Sequence, residues 1–131
     1  MPASGSMSAI VWEPDIIDDD HLGRITLGDR RLEREVLEIF MRQIGIMLSR
    51  MAATEPAIAA AAAHTLIGSA RGIGAWRVAR AAERLEQAAA GRFGKQAMDR
   101  AIAELESAAS EASAAIDARL DNSLNRGSRD H

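Results

Sequence analysis

From Arg30 onward, apolar side chains recur every third or fourth residue, and no stretch of any length alternates apolar with polar. That spacing follows the 3.6-residue turn of a helix rather than the two-residue period of a strand. The chain is therefore constrained to an all-α architecture. The last long segment is the clearest case. Met98, Ile102, Leu105, Ala109, Ala112 and Ile116 alternate steps of four and three, the pattern of a seam between packed helices. Leu32, Val36, Ile39, Phe40, Ile44, Met47 and Met51 mark an earlier helix from about Arg30 to Met51. Val78, Ala82, Leu85 and Ala89 mark the inward side of another, from about Trp76 to Ala90.

Helix-stopping and helix-starting residues divide the pattern. Asp18, Asp19 and Asp20 suit the start of a short helix through Leu22 and Ile25, because carboxylates favour a helix N-terminus. Gly28 interrupts it, and Asp29 can cap the helix that follows. Thr54 is the candidate N-cap of a third long segment, with Glu55 and Pro56 in its first turn and an end near Gly72 or Gly74. Gly91 and Gly94 bracket the connection to the last helix, expected from about Lys95 to Leu120. Four long amphipathic helices with short connections predict an antiparallel up-down four-helix bundle. The additional short N-terminal helix would lie over it as a lid. Residues 1–9 are small and polar and are expected to be disordered, whereas Ile10, Val11 and Trp12 are expected to pack on the domain. The domain then spans 10–120, with residues 121–131 as a flexible polar tail.

Composition narrows the function classes. The 131 residues fit one domain. Cysteine is absent, which removes disulfides, thiol catalysis and thiolate metal sites and fits a reducing, cytoplasmic setting. Net charge is −3 and aromatics are 3%, with no basic block, so nucleic-acid binding has no support. There is no signal-peptide pattern and no apolar run long enough for a bilayer. The histidines are His21, His64 and His131, without the paired Glu-x-x-His spacing of a bundle metal centre, so no metal site is expected.

His64 is the candidate functional residue. At ~100° per residue, Ile58, Ala62, Leu66, Ser69 and Ile73 fall within an arc of roughly 80°, the expected core stripe. His64 lies roughly 195° from the centre of that arc and therefore faces water. Ala57, Ala60, Ile67, Gly68 and Arg71 share its side of the helix. Gly68 sits one turn from His64 and leaves the ring unobstructed for a docking protein. Arg71 sits two turns on, placed to reach back toward an anion on the imidazole. The plain alternative is a solvated surface histidine beside packing glycines and an ordinary arginine, with Glu83 a local partner for Arg80 or Arg84.

The run His64-Thr65-Leu66-Ile67-Gly68-Ser69-Ala70-Arg71-Gly72-Ile73-Gly74-Ala75 resembles the signature of histidine phosphotransfer (HPt) domains. His64, Leu66, Gly68, Ser69, Ala70, Ile73, Gly74 and Ala75 match in register. The stretches Leu27-Gly28-Asp29, Leu32 to Leu37 and Ala81 to Glu86 resemble flanking parts of bacterial members. The resemblance implies a stand-alone, monomeric phosphorelay carrier rather than an enzyme, without nucleotide or cofactor. His64 would take a phosphoryl group from a receiver-domain aspartate and pass it to another. Response-regulator receivers and a hybrid sensor histidine kinase would be the partners, and the divalent metal would belong to the receiver. Ala57, Ala60, Ile67, Gly68 and Arg71 would form the docking face. One position departs from the family pattern: lysine usually precedes the glycine, and here Ile67 does. The resemblance then leaves three consequences open. Arg71 supplies the missing charge, aided by Arg77, Arg80 or Arg84; Ile67 adds an apolar contact; or transfer is lost and the domain only docks.

Overall fold

The structure is a computed structural model that describes residues 16–51, 55–91 and 94–129. Five helices make it up: α1 (Asp19–Ile25), α2 (Arg30–Met51), α3 (Pro56–Ile73), α4 (Trp76–Ala90) and α5 (Lys95–Arg129). No strand occurs among the described residues. The four long helices form an up-and-down bundle in which each packs on the next and α2 also meets α5. The expected segment Ile10 to Trp12, the expected disorder of 1–9 and the candidate cap Thr54 lie outside the described residues.

Local chemistry sets most boundaries. Asp29 Oδ1 accepts from the Arg31 and Leu32 backbone N–H groups at 2.9 and 3.1 Å and starts α2 as expected. Glu55, not Thr54, occupies the N-cap position of α3, and its side chain makes no capping bond. Pro56 at the first helical position presets the start of α3, where its missing N–H is no loss. At the other end, Gly74 adopts φ +84°, the Gly74 N–H donates to the Arg71 carbonyl, and the Ala75 N–H donates to the Ala70 carbonyl. These two bonds make a Schellman ending, with the buried Ala70 and Ala75 as its apolar contact. The chain then enters α4 at once.

The structure corrects two expectations. α5 does not end near Leu120 but continues as helix to Arg129. Nothing in the sequence between Leu120 and Asn125 breaks a helix, and one already nucleated extends readily. In α2 the core side is Leu37, Phe40, Ile44, Met47 and Met51, a seam of alternating three and four. Leu32 and Ile39, two of the apolar residues that mark the helix, lie on its exposed side. In α3 the buried residues are Ala59, Ala62, Ala63, Leu66, Ile67, Ala70 and Ile73. That arc is centred roughly 60° from the expected stripe on the wheel. Ile58 is 42% exposed and Ser69 half-buried. The cause is packing on two sides: α3 touches both α2 and α4, and its alanines permit the close approach that larger side chains would block.

α1 is fastened across the α3–α4 turn. The Asp18 N–H donates to the Gly74 carbonyl at 3.0 Å, and Trp76 Nε1–H donates to Asp18 Oδ2 at 2.9 Å. Asp18 Oδ1 also caps α1 by accepting from the His21 N–H at 3.0 Å. His21 Nε2 lies 3.1 Å from the Gly72 carbonyl, an acceptor, so this nitrogen donates. Its ring meets Trp76 edge-on at 5.1 Å. From α5, Arg119 forks onto both carboxylate oxygens of Asp19 at 2.9 and 3.0 Å. The expected lid is thus bonded to the turn and to the last helix.

Two predictions follow from this clasp. A Cβ on Gly74 would sit 3.0 Å from Asp18 Cβ and 3.2 Å from its carbonyl oxygen, on a backbone that disfavours L side chains. Gly74→Ala is expected to lower unfolding free energy by about 1–2 kcal/mol or more, read by urea denaturation. The Trp76 N–H, and next the His21 backbone N–H, hold the Asp18 carboxyl below its ordinary value of 3.8. A lowered folded-state value means that stabilisation is complete above the ordinary value and lost as pH falls through the lowered one. The wild-type melting temperature should therefore drop more steeply in that acid window than that of Asp18→Asn.

Candidate functional site

The ending of α3 decides what faces His64. A two-residue connection folds α4 back along α3, so side chains at similar distances on either side of the turn come opposite each other. His64 on α3 meets Glu86 on α4 in this way, while the long Arg71 side chain reaches Glu83, which lies further from the turn than Arg71 does. His64 Nδ1 lies 2.8 Å from Glu86 Oε2, and Arg71 Nη2 pairs with Glu83 Oε1. The two pairs are rungs across one helix–helix seam.

His64 is the exposed residue that the wheel predicts, with 77% of its side chain open to solvent. It stands at the edge of the buried arc rather than opposite it, which is why it reaches α4. An ionised carboxylate can only accept a hydrogen bond, so Glu86 requires the proton to sit on Nδ1. The neutral ring then carries its lone pair on Nε2, on the far side from Glu86. Such a ring is held in orientation while keeping a nucleophilic nitrogen.

The surroundings of the ring are low. Gly68 is exposed, and a Cβ built on it meets nothing within 4 Å. Ala57 is exposed and Ala60 half-buried. These three residues and Arg71 lie where the sequence places them. Ile67 does not. It is 8% exposed and belongs to the hydrophobic core, so its expected role as an apolar docking contact is corrected. Its position on the wheel falls between the core and His64, and the wider buried face of α3 takes it in.

The cations also divide differently from expectation. Glu83 pairs with Arg71 rather than with Arg80 or Arg84. Arg84 Nε donates to Glu104 on α5 at 3.1 Å, and Arg77 Nη1 lies 3.6 Å from Glu111 on α5. Those two arginines turn to the opposite neighbour. Arg71 lies on the His64 seam, already engaged with a carboxylate. The sequence contained a signal for Glu86, which stands about as far after the Gly74–Ala75 turn as His64 stands before it; it held none for Glu83, which lies eight residues after the turn while Arg71 lies three before it.

A family model for the Hpt domain matches residues 35–126. The chain belongs to the Hpt domain family. The X-ray structure of a rice protein, provisionally described as a histidine-containing phosphotransfer protein, matches the Hpt fold seen here with a TM-score of 0.66. That match has 16% identity and covers 90% of this chain and 86% of the rice chain. No curated protein matches the sequence. The Hpt match begins inside α2, so the α1 clasp precedes it. Among the described residues of this Hpt chain, no three His, Asp or Glu side chains gather as metal ligands. No helix among them is long and apolar enough to cross a membrane.

The Glu86 contact gives a direct prediction. Nitrogen-detected NMR of neutral His64 should show the proton on Nδ1 in the wild type. Glu86→Ala should redistribute it between both nitrogens without loss of fold, because exposed pairs of this kind contribute only about 0–1 kcal/mol.

Proposed function

We propose that this Hpt domain is a phosphoryl carrier of a phosphorelay, with His64 as the residue that is loaded and unloaded. The observation that carries this reading is the state of the ring. His64 is exposed beside Gly68, its Nδ1 is engaged by Glu86, and its Nε2 remains open. Nε2 attacks the phosphorus of an aspartyl phosphate on a receiver domain. The new N–P bond forms as the O–P bond to the aspartate breaks, and the aspartate carboxylate leaves with the electron pair. The proton on Nδ1 stays, so the phosphorylated ring is cationic and faces the Glu86 carboxylate. In the return step the N–P bond breaks, its electron pair goes back to Nε2, and the ring leaves as neutral imidazole. Had Nδ1 lost its proton, the leaving group would be an imidazolate anion, which leaves far less readily.

The chemistry needs no base and no nucleotide from this chain. A receiver domain supplies the acyl phosphate together with the divalent cation in its own acidic pocket. A hybrid sensor histidine kinase upstream and a response regulator downstream are the partners this role requires. The low surface at Ala57, Ala60 and Gly68 would let a receiver bring its aspartate to within bonding distance of the ring. Ile67 is core packing in this reading, so the charge that the family usually places there has to come from elsewhere.

The test is phosphotransfer from a phosphorylated receiver. The wild type should acquire acid-labile, base-stable phosphate, and His64→Gln should acquire none. Equal labelling of the variant would remove His64 as the acceptor. Binding of the receiver without any labelling of the wild type would leave a docking module instead.

A further inference from the structure

On the helix face that carries His64, α3 has one cation, Arg71, and it is already paired. Its guanidinium contacts Glu83 on α4, while His64 contacts Glu86 one turn further along the same helix. These two pairs therefore set two carboxylates against one arginine and a ring. A phosphoryl group on Nε2 puts about −1.5 to −2 charge on its oxygens, only part of it offset by the cationic ring. Arg77 and Arg84 point to α5 and its acids Glu111 and Glu104. Ile67 brings no charge.

Arg71 is placed to answer that charge. It lies seven residues beyond His64 on α3, which is roughly 10.5 Å along the axis and about 20° around it. Helical side chains lean toward the N-terminus, so Arg71 leans toward His64. Its side chain is 58% exposed and unconfined by packing, and its planar fork matches a phosphoryl group as well as a carboxylate.

We propose that Arg71 is a partner-switching cation, held by Glu83 in the resting protein and drawn to the phosphoryl group once His64 is loaded. This rests on the carrier reading of His64 and adds a role to Glu83. Glu83 competes with the phosphoryl group for Arg71 and so limits how strongly the loaded state is stabilised. The device also accounts for the missing lysine. A cation fixed at position 67 would favour phosphate at all times, whereas Arg71 is shared with an acid on the neighbouring helix.

The experiment compares wild type, Glu83→Gln, Arg71→Ala and the double variant, with two phosphoryl donors. A phosphorylated receiver reports the rate of transfer to His64. Phosphoramidate loads the ring without a receiver: Nε2 bonds to phosphorus and ammonia leaves. NMR of the Arg71 side-chain Nε–H then follows its partner. Glu83→Gln should speed loading about two- to fivefold, and Arg71→Ala should slow it by a similar factor, the range an exposed charge pair commands. The double variant should match Arg71→Ala alone, and loading should shift the Arg71 resonance. An unchanged rate in Glu83→Gln, a gain that survives in the double variant, or an unmoved Arg71 resonance on loaded protein would each overturn the proposal. If receivers fail to transfer but phosphoramidate-loaded protein moves Arg71, the exchange stands and the carrier reading falls. If neither donor loads His64, both fall.

Discussion

The close pairing of α3 with α4 is the constraint on which the site depends. Ala59, Ala62, Ala63 and Ala70 on α3 are buried, as are Ala79, Ala81 and Ala82 on α4. Small side chains on both helices let the backbones approach toward the short end of the usual interaxial range. Close approach has an energetic and a geometric effect. Each buried alanine removes little apolar area from water, so tight contact must contribute through dispersion. It also brings the rims of the two helices near enough for side chains at the edge of the seam to bond across it. His64 with Glu86, and Arg71 with Glu83, are those edge pairs. The same packing that makes the core therefore sets the tautomer of the ring and the partner of the arginine.

In the proposed carrier role, the seam would let a face with little positive charge serve a phosphoryl group. Screening by solvent makes each exposed pair weak, in the range of about 0–1 kcal/mol. A weak pair is easily exchanged, and exchange is what a transient load requires. A cation buried or locked in place would hold the phosphoryl group too long for onward transfer. Glu86 differs from Glu83 in what it contacts: it bonds the His64 ring itself, and in the proposed role its acceptor-only chemistry would keep one nitrogen protonated through both directions of transfer.

Much of the fold was legible because its boundaries are chemical. The limits of α2 and α4 follow from Asp29, Gly74 and Gly91, whose roles are local and readable in sequence. The family signature around His64 was legible for the same reason, being a contiguous run. The inner face of α3 was not. Alanine carries no decision about inside or outside, so large residues such as Ile58 dominated the wheel and turned it by roughly 60°. Burial of Ile67 and exposure of Ile58 follow from α3 having two neighbours, which no single helix can report. Leu32 and Ile39 show the same limit from the other side: α2 has apolar residues on two sides, and the seam through Leu37 and Phe40 is the one that is buried. The partners Glu86 and Glu83 depend on the register between helices. That register is fixed by the length and geometry of the turn at Gly74.

The turn is in turn fixed from outside the bundle. Gly74 both ends α3 and accepts the Asp18 N–H on its carbonyl, and a side chain there would strike Asp18. Asp18 spends one carboxylate oxygen on capping α1 and the other on Trp76, the first residue of α4. A single aspartate thus ties the start of α1, the end of α3 and the start of α4 together. His21 adds a bond to Gly72 in the last turn of α3, and Arg119 anchors Asp19 to α5. If the turn shifted, α4 would slide along α3 and both edge pairs would lose register together. α1 lies before the span that the Hpt model matches, yet its bonds run to Gly72, Gly74, Trp76 and Arg119 inside that span.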